Sequence, residues 1–427
     1  MTRKDGGPRS ATSNRRCNGL LPPGTLDFRG DFDPGVSGMA QVQGSCDARF
    51  EPVREALRSN LDSGEELGAS IVVNLDGANV VDIWGGWRDE AHTQPWDQDT
   101  IVNVWSTTKT ISSLATLMLA ARGELDVYAQ VARYWPEFAA AGKERIELRH
   151  LLSHTSGVSG LEQPATTEDL YDWYGSTARM AAQAPWWEPG TASGYHALNF
   201  GHLLGEVIRR VTGIGLKQFV AERIAGPLGA DFQIGAKPAD FGRIAPVVPP
   251  PPLPFDLAAM DPTSPVVRTF TGPPVDAAAA NTPAWRAADI GAANGHANAR
   301  SVARIMSAVT LGGEVDGVKL LSGEVIESIF DQQSDGIDLV LGVPLRFGIG
   351  YGLPKAETVA YIPSGRVCFW GGWGGSVIIM DLERRMTLAY MMNRMAAGII
   401  GSARSEAYVR AAYSAVGVAL PELARVE

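Results

Sequence analysis

Trp105-Ser106-Thr107-Thr108-Lys109-Thr110-Ile111-Ser112-Ser113-Leu114-Ala115-Thr116-Leu117-Met118 is the stretch on which the reading of this 427-residue chain turns. Ile111, Leu114, Ala115 and Met118 follow the i, i+3, i+4, i+7 spacing of a helix with one buried face, and Gly123 stands where a C-cap is expected. The helix is read as opening at Ser106. Residues i and i+3 share a helical face, so the Lys109 amine can reach the Ser106 hydroxyl. A serine hydroxyl is a weak nucleophile until a neighbouring base takes its proton, and Lys109 can be that base only where burial or a nearby cation lowers its pKa. The N-terminal end of a helix also favours negative charge that develops beside it. This is the only Ser-x-x-Lys in the chain.

Before this segment, Ala69 to Trp84 reads as two β-branched runs around Asp76-Gly77, a strong hairpin signal. After it, residues 124–290 read as helices broken by Pro- and Gly-rich loops. The clearest of these helices covers about Leu198 to Val211, and Pro246 to Pro254 is expected to be an extended surface loop. A further helix is expected over about Ser301 to Leu311. Three short strands follow at Arg366–Trp370, Ser376–Met380 and Met386–Met392, and a last helix spans about Ser402 to Val416. The fold class expected is α/β (α+β): an antiparallel sheet built from both chain ends, 44–123 and 291–427, with residues 124–290 as an inserted, mainly helical domain. Residues 1–43 are expected to be a flexible extension.

Composition narrows the function. A net charge of -10 argues against a nucleic-acid partner, which would present a basic face. No apolar run reaches the ~18 residues that span a bilayer, and the N-terminus lacks the apolar core of a signal peptide, so a cytoplasmic location and no membrane partner are expected. Cys17, Cys46 and Cys368 are too scattered for a disulfide framework. His150 and His154 are four apart, but nothing completes a metal site around them, so neither metal nor cofactor is expected.

Further segments carry a resemblance. Leu148-Arg-His-Leu-Leu-Ser-His-Thr-Ser-Gly157, Trp187-Glu-Pro-Gly-Thr191, Tyr195-His-Ala-Leu-Asn-Phe-Gly-His-Leu-Leu-Gly205, Asn294-Gly-His-Ala-Asn-Ala-Arg300 and Phe369-Trp-Gly-Gly-Trp-Gly-Gly-Ser376 follow Ser106 and Lys109 in order. From about Phe50 to Val416 the chain resembles class C β-lactamases, penicillin-binding proteins and, above all, family VIII carboxylesterases. The resemblance implies that Ser106 is the nucleophile, Lys109 its base and Tyr195 a second proton carrier, a phenol whose pKa the Lys109 cation would lower. It also implies that the backbone N–H groups of Ser106 and Trp373 form an oxyanion hole, and that Trp370, Gly371 and Gly372 border the substrate. His154 and Ser156 fall in a helix-ending turn.

Two departures bear on the substrate. Ala197 stands where lactamases and peptidases carry Asn, and Trp370 replaces the Lys of their Lys-Thr-Gly. Both changes weaken recognition of an anionic acyl substrate while leaving nucleophile, base and oxyanion hole in place. The expected activity is hydrolysis of short-chain esters, a small-molecule substrate, with secondary β-lactam hydrolysis. Trp370, Trp373, Trp186 and Trp187 are candidates for an apolar mouth. The alternatives within the fold are a dedicated β-lactamase, a D-amino-acid peptidase or an acyltransferase. No serine lies in Gly-x-Ser-x-Gly, so the α/β-hydrolase elbow is absent.

Overall fold

The two runs around Asp76-Gly77 do form a hairpin. In the computed structural model, which describes residues 41–252 and 256–421, Asp76 and Gly77 both have positive φ (50° and 87°), the twist that a two-residue turn between right-twisted strands requires. The sheet around this hairpin is made of Val42–Cys46 (β1), Gly68–Leu75 (β2), Ala78–Gly86 (β3), Ser334–Ile337 (β4), Pro344–Phe347 (β5), Gly352–Leu353 (β6), Val367–Gly371 (β7), Val377–Asp381 (β8) and Met386–Met392 (β9). Its nine strands run in the order β1-β3-β2-β9-β8-β7-β6-β5-β4, and every neighbouring pair is antiparallel. Both chain ends therefore contribute to one antiparallel sheet, as expected. The extension read over residues 1–43 lies mostly outside the described residues. Its end is corrected, because Val42 and Gln43 already pair with Gly85 and Trp84 at the sheet edge.

β8 and β9 are buried at every position, so the centre of the sheet is covered on both faces. Thr387 and Tyr390 of β9 are three residues apart and point to opposite faces. Thr387 shares a 3.0 Å hydrogen bond with Thr310, in a helix over Ala299–Thr310. Tyr390 stacks edge-on against Tyr408, at 4.9 Å between centroids, in the C-terminal helix Ala403–Ala415, which packs beside the helix Glu51–Asp62. Among residues 124–290 the longest helix is Phe200–Thr212. It is closed by Gly213 in the left-handed conformation (φ 79°) and packs on the helix Thr108–Ala121.

A second, four-stranded sheet escapes the sequence reading because its strands, Ile101–Asn103, Phe232–Ile234, Ile244–Ala245 and Gly295–Ala297, are only two or three residues long. The strands β4 to β6 were also missed; β4, Ser-Asp-Gly-Ile, has no alternating pattern and is largely exposed. Among the described residues no helix is long and apolar enough to cross a membrane. Cys46 and Cys368 are free thiols, and Cys17 lies outside the described residues.

A buried polar cluster ties the sheet to its covering helices. The Glu66 carboxylate, fully buried, accepts hydrogen bonds from Arg404 Nη1 (2.5 Å), Tyr390 (2.5 Å) and Tyr408 (3.1 Å). Removing one partner of a buried pair leaves the other charge without compensation, which costs about 3–5 kcal/mol. Arg404→Met is therefore expected to lower unfolding free energy by roughly that amount in a urea titration. A loss below about 1 kcal/mol would contradict this account.

Candidate active site

Ser106 sits on a tight turn between two rigid elements. Ile101–Asn103 leads into it, and Val104 N donates to Gly295 O (2.8 Å) on the neighbouring strand. Ser376 Oγ then donates to Val104 O and bonds Thr107 Oγ1, both at 3.1 Å. The expected helix starts two residues later than read, at Thr108, with Trp105–Thr107 as a separate helical turn before it. Trp105 carries φ of 48°, a costly conformation for a bulky residue, and it is held there by packing on Trp373 (5.1 Å) and Trp285 (5.5 Å).

Lys109 Nζ lies 3.0 Å from Ser106 Oγ, 2.7 Å from Ala197 O and 2.9 Å from Ala292 O. The side chain is 2% exposed and has no carboxylate partner among the described residues, so desolvation pushes its pKa well below the usual lysine range. A neutral amine has two N–H donors and one lone pair. The two carbonyls take the donors, which leaves the lone pair for the Ser106 hydroxyl proton. Ala197 thus supplies a backbone carbonyl to the lysine at the position where the sequence lacks an Asn side chain.

Tyr195 is buried with its ring 4.7 Å from Lys109 Nζ, and its hydroxyl interacts with the Ser106 side chain. Trp370 Nε1 donates to the phenol oxygen at 3.0 Å. Burial raises the Tyr195 pKa above the ordinary tyrosine value, opposed by its interactions with Ser106 and Trp370. This corrects the expectation of a phenol acidified by the lysine cation: burial lowers the Lys109 pKa and raises that of Tyr195, so the phenol stays protonated at neutral pH. Because Trp370 occupies a lone pair of the oxygen, the phenol proton is free to be donated toward Ser106.

The backbone N–H groups of Ser106 and Trp373 donate to no other group among the described residues, and both residues border one cavity. Gly371 and Gly372 do not border it, and neither does Trp370, which is 4% exposed. A Cβ on Gly372 would lie 2.5 Å from Val104 O and 3.1 Å from Trp105 Cβ, so glycine lets the end of β7 close onto the nucleophile turn.

The cavity holds about 640 Å³ and reaches from Ser106 and Tyr195 to Phe270 and a wall of Pro249–Pro252. The proline run read as a surface loop is therefore part of the site, while its end, 253–255, lies outside the described residues. Among the described residues the only charged side chain lining it is Asp276, and no Lys, Arg or His borders the space. Trp186 and Trp187 are also absent. Trp186 borders a separate recess beneath Arg268 (4.2 Å to the ring centroid), and Trp187 packs against Gly194, donating to Ala192 O at 3.0 Å. Of the four tryptophans expected at the mouth, only Trp373 is there; Trp105, which the sequence reading did not assign to the mouth, is beside it.

Residues 53–410 match the family described as Beta-lactamase. This chain belongs to that family. Within it, the chain is similar to the esterase/β-lactamase LipL of Mycobacterium tuberculosis, with 36% identity over 375 residues, 84% of this chain and 85% of LipL. Among solved structures it is similar to a family VIII carboxylesterase (39% identity, TM-score 0.82, covering 88% of this chain and 100% of that one). It is also similar to a penicillin-binding protein homologue from Caulobacter crescentus (35% identity, TM-score 0.81, covering 88% and 100%). The family VIII likeness read from the motifs is upheld.

Proposed function

We propose that this protein is a carboxylesterase that hydrolyses short-chain, uncharged esters through an acyl-enzyme on Ser106. The observation that carries this reading is a buried Lys109 of lowered pKa aimed at Ser106 Oγ beneath an apolar cavity that no cation borders among the described residues. In acylation Lys109 takes the hydroxyl proton as Ser106 Oγ bonds to the ester carbonyl carbon. The oxyanion meets the N–H groups of Ser106 and Trp373, each donor being worth about 10²–10³ in rate. As the carbon–oxygen bond to the alcohol breaks, the Tyr195 hydroxyl protonates the leaving oxygen, and the lysine ammonium restores the tyrosine proton. Water then releases the acid and returns the proton to Ser106 by the reverse path.

A β-lactam or a peptide terminus brings a carboxylate, and this cavity offers it no partner. Asp276 would repel it, and Trp370 is committed to Tyr195. The sequences that match across most of the chain include proteins described as esterases, which supports the same substrate class. The test is kcat/KM for p-nitrophenyl butyrate against a chromogenic cephalosporin. The ester is expected to exceed the cephalosporin by at least about 10²-fold, the size of one unmatched charge in a largely desolvated site. A cephalosporin value above the ester value would reverse the assignment.

A further inference from the structure

The segment carrying Tyr195 is held at three consecutive backbone N–H groups. Gly194 N donates to the His154 carbonyl at 2.9 Å, Tyr195 N to Asp338 Oδ1 at 3.1 Å, and His196 N to His154 Nδ1 at 3.1 Å. His154 therefore grips the chain on both sides of the tyrosine, and it also packs on the tyrosine ring with centroids 4.9 Å apart. It does so from a left-handed backbone conformation, φ 62°, in which its carbonyl and its imidazole both face residues 194–196. Such a conformation is uncommon outside glycine and is kept only where the surroundings enforce it.

Protonation fits the grip. His154 is buried, and desolvation with His196 and Lys109 nearby holds its pKa well below the ordinary histidine value. The ring is neutral. With Nδ1 accepting from His196 N, the ring proton resides on Nε2. His196 is locked in turn: Nδ1 donates to Gly194 O (2.7 Å) and Nε2 accepts from Ser156 Oγ (2.6 Å). The Ser156–His196 pair looks like a nucleophile and base, but both residues are fully buried and neither borders the cavity.

We propose that His154, together with Asp338, is a positioning residue that sets the Tyr195 hydroxyl for proton transfer to the leaving alcohol. This rests on the reading of Tyr195 as the leaving-group acid. Displacing a proton donor by about 1 Å costs on the order of 10²-fold, so a loosened grip should be visible in rate without any loss of fold. Asparagine tests it well. Its Oδ1 stands close to the place of the imidazole Nδ1, and it tolerates positive φ better than other side chains, whereas glycine tolerates the backbone but has no acceptor.

The experiment compares kcat/KM for ethyl butyrate and p-nitrophenyl butyrate in wild type, His154→Gly, His154→Asn and Tyr195→Phe. p-Nitrophenolate leaves without a proton and ethoxide does not, so the ratio of the two rates reports the proton donor and cancels any change in the folded fraction. His154→Gly is expected to lose about 10–100-fold more on the ethyl ester than on the p-nitrophenyl ester, in the same direction as Tyr195→Phe, and His154→Asn to recover most of that selective loss. If Tyr195→Phe shows the selective loss while His154→Gly lowers both esters by one factor, His154 is only structural and the positioning role is overturned. If Tyr195→Phe shows no selectivity, the acid role of Tyr195 falls, and the positioning role falls with it.

Discussion

Ser106→Ala is expected to lower kcat/KM for p-nitrophenyl butyrate by at least about 10⁴-fold, with thermal stability nearly unchanged. Among the described residues the hydroxyl is the only nucleophile bordering the cavity with an amine in contact, 3.0 Å from Lys109 Nζ. Its loss leaves the oxyanion donors and the apolar cavity intact. These can orient an ester and polarise its carbonyl, but no covalent intermediate can form. The signature is qualitative as well as large. A fluorophosphonate probe should label the wild type at Ser106 and leave the alanine variant unlabelled, and any initial burst of p-nitrophenolate should disappear. An ester rate that survives the substitution would sink the nucleophile assignment.

The second large effect is at Lys109. Lys109→Met is expected to lower kcat/KM by roughly 10²–10⁴-fold, the range of a lost general base, and Lys109→Arg should be no better, because a guanidinium stays protonated. Wild-type activity should fall as pH drops through the folded-state pKa of Lys109, since an ammonium cannot take the serine proton. The residual rate of Lys109→Met should lack that acid limb. Tyr195 is kept protonated, and burial keeps His154 and His196 neutral.

The same depressed pKa enters stability. Between the folded-state pKa and the ordinary lysine value of about 10.5, the unfolded chain binds a proton that the native chain does not. This contribution therefore rises with pH through that window and is smallest below it. Urea titrations from pH 7 to pH 10 should show wild-type stability increasing relative to Lys109→Met. Equal slopes for the two proteins would mean that Lys109 is charged in the native state, and the base role would go with it.

Much of this site was legible in the sequence, and the parts that were not have a common reason. Ser106 and Lys109 lie three residues apart, so local helical geometry alone brings them together. The hairpin at Asp76-Gly77, the three C-terminal strands and the helices over Phe200–Thr212, Ala299–Thr310 and Ala403–Ala415 were read within two residues of their ends, because the helices carry a periodic apolar face and the strands are apolar runs bounded by turn residues. The short strands of the second sheet were not read. Two or three residues contain no period, and those strands exist through pairing with partners up to 195 positions away, as Val102 does with Ala297.

What the sequence determined by itself was the adjacency of Ser106 and Lys109, the family and the antiparallel sheet made from both ends of the chain. The tertiary structure alone decided the protonation states and the outline of the cavity. Burial beneath residues 88 and 183 positions away, which provide two carbonyls, lowers the Lys109 pKa, and burial raises that of Tyr195. Trp370, read as a wall of the substrate site, became a donor to Tyr195, while a proline run read as surface became the wall. Local spacing reports which groups share a helical face. Desolvation and long-range hydrogen bonding depend on what folds over them, and no short motif carries that information.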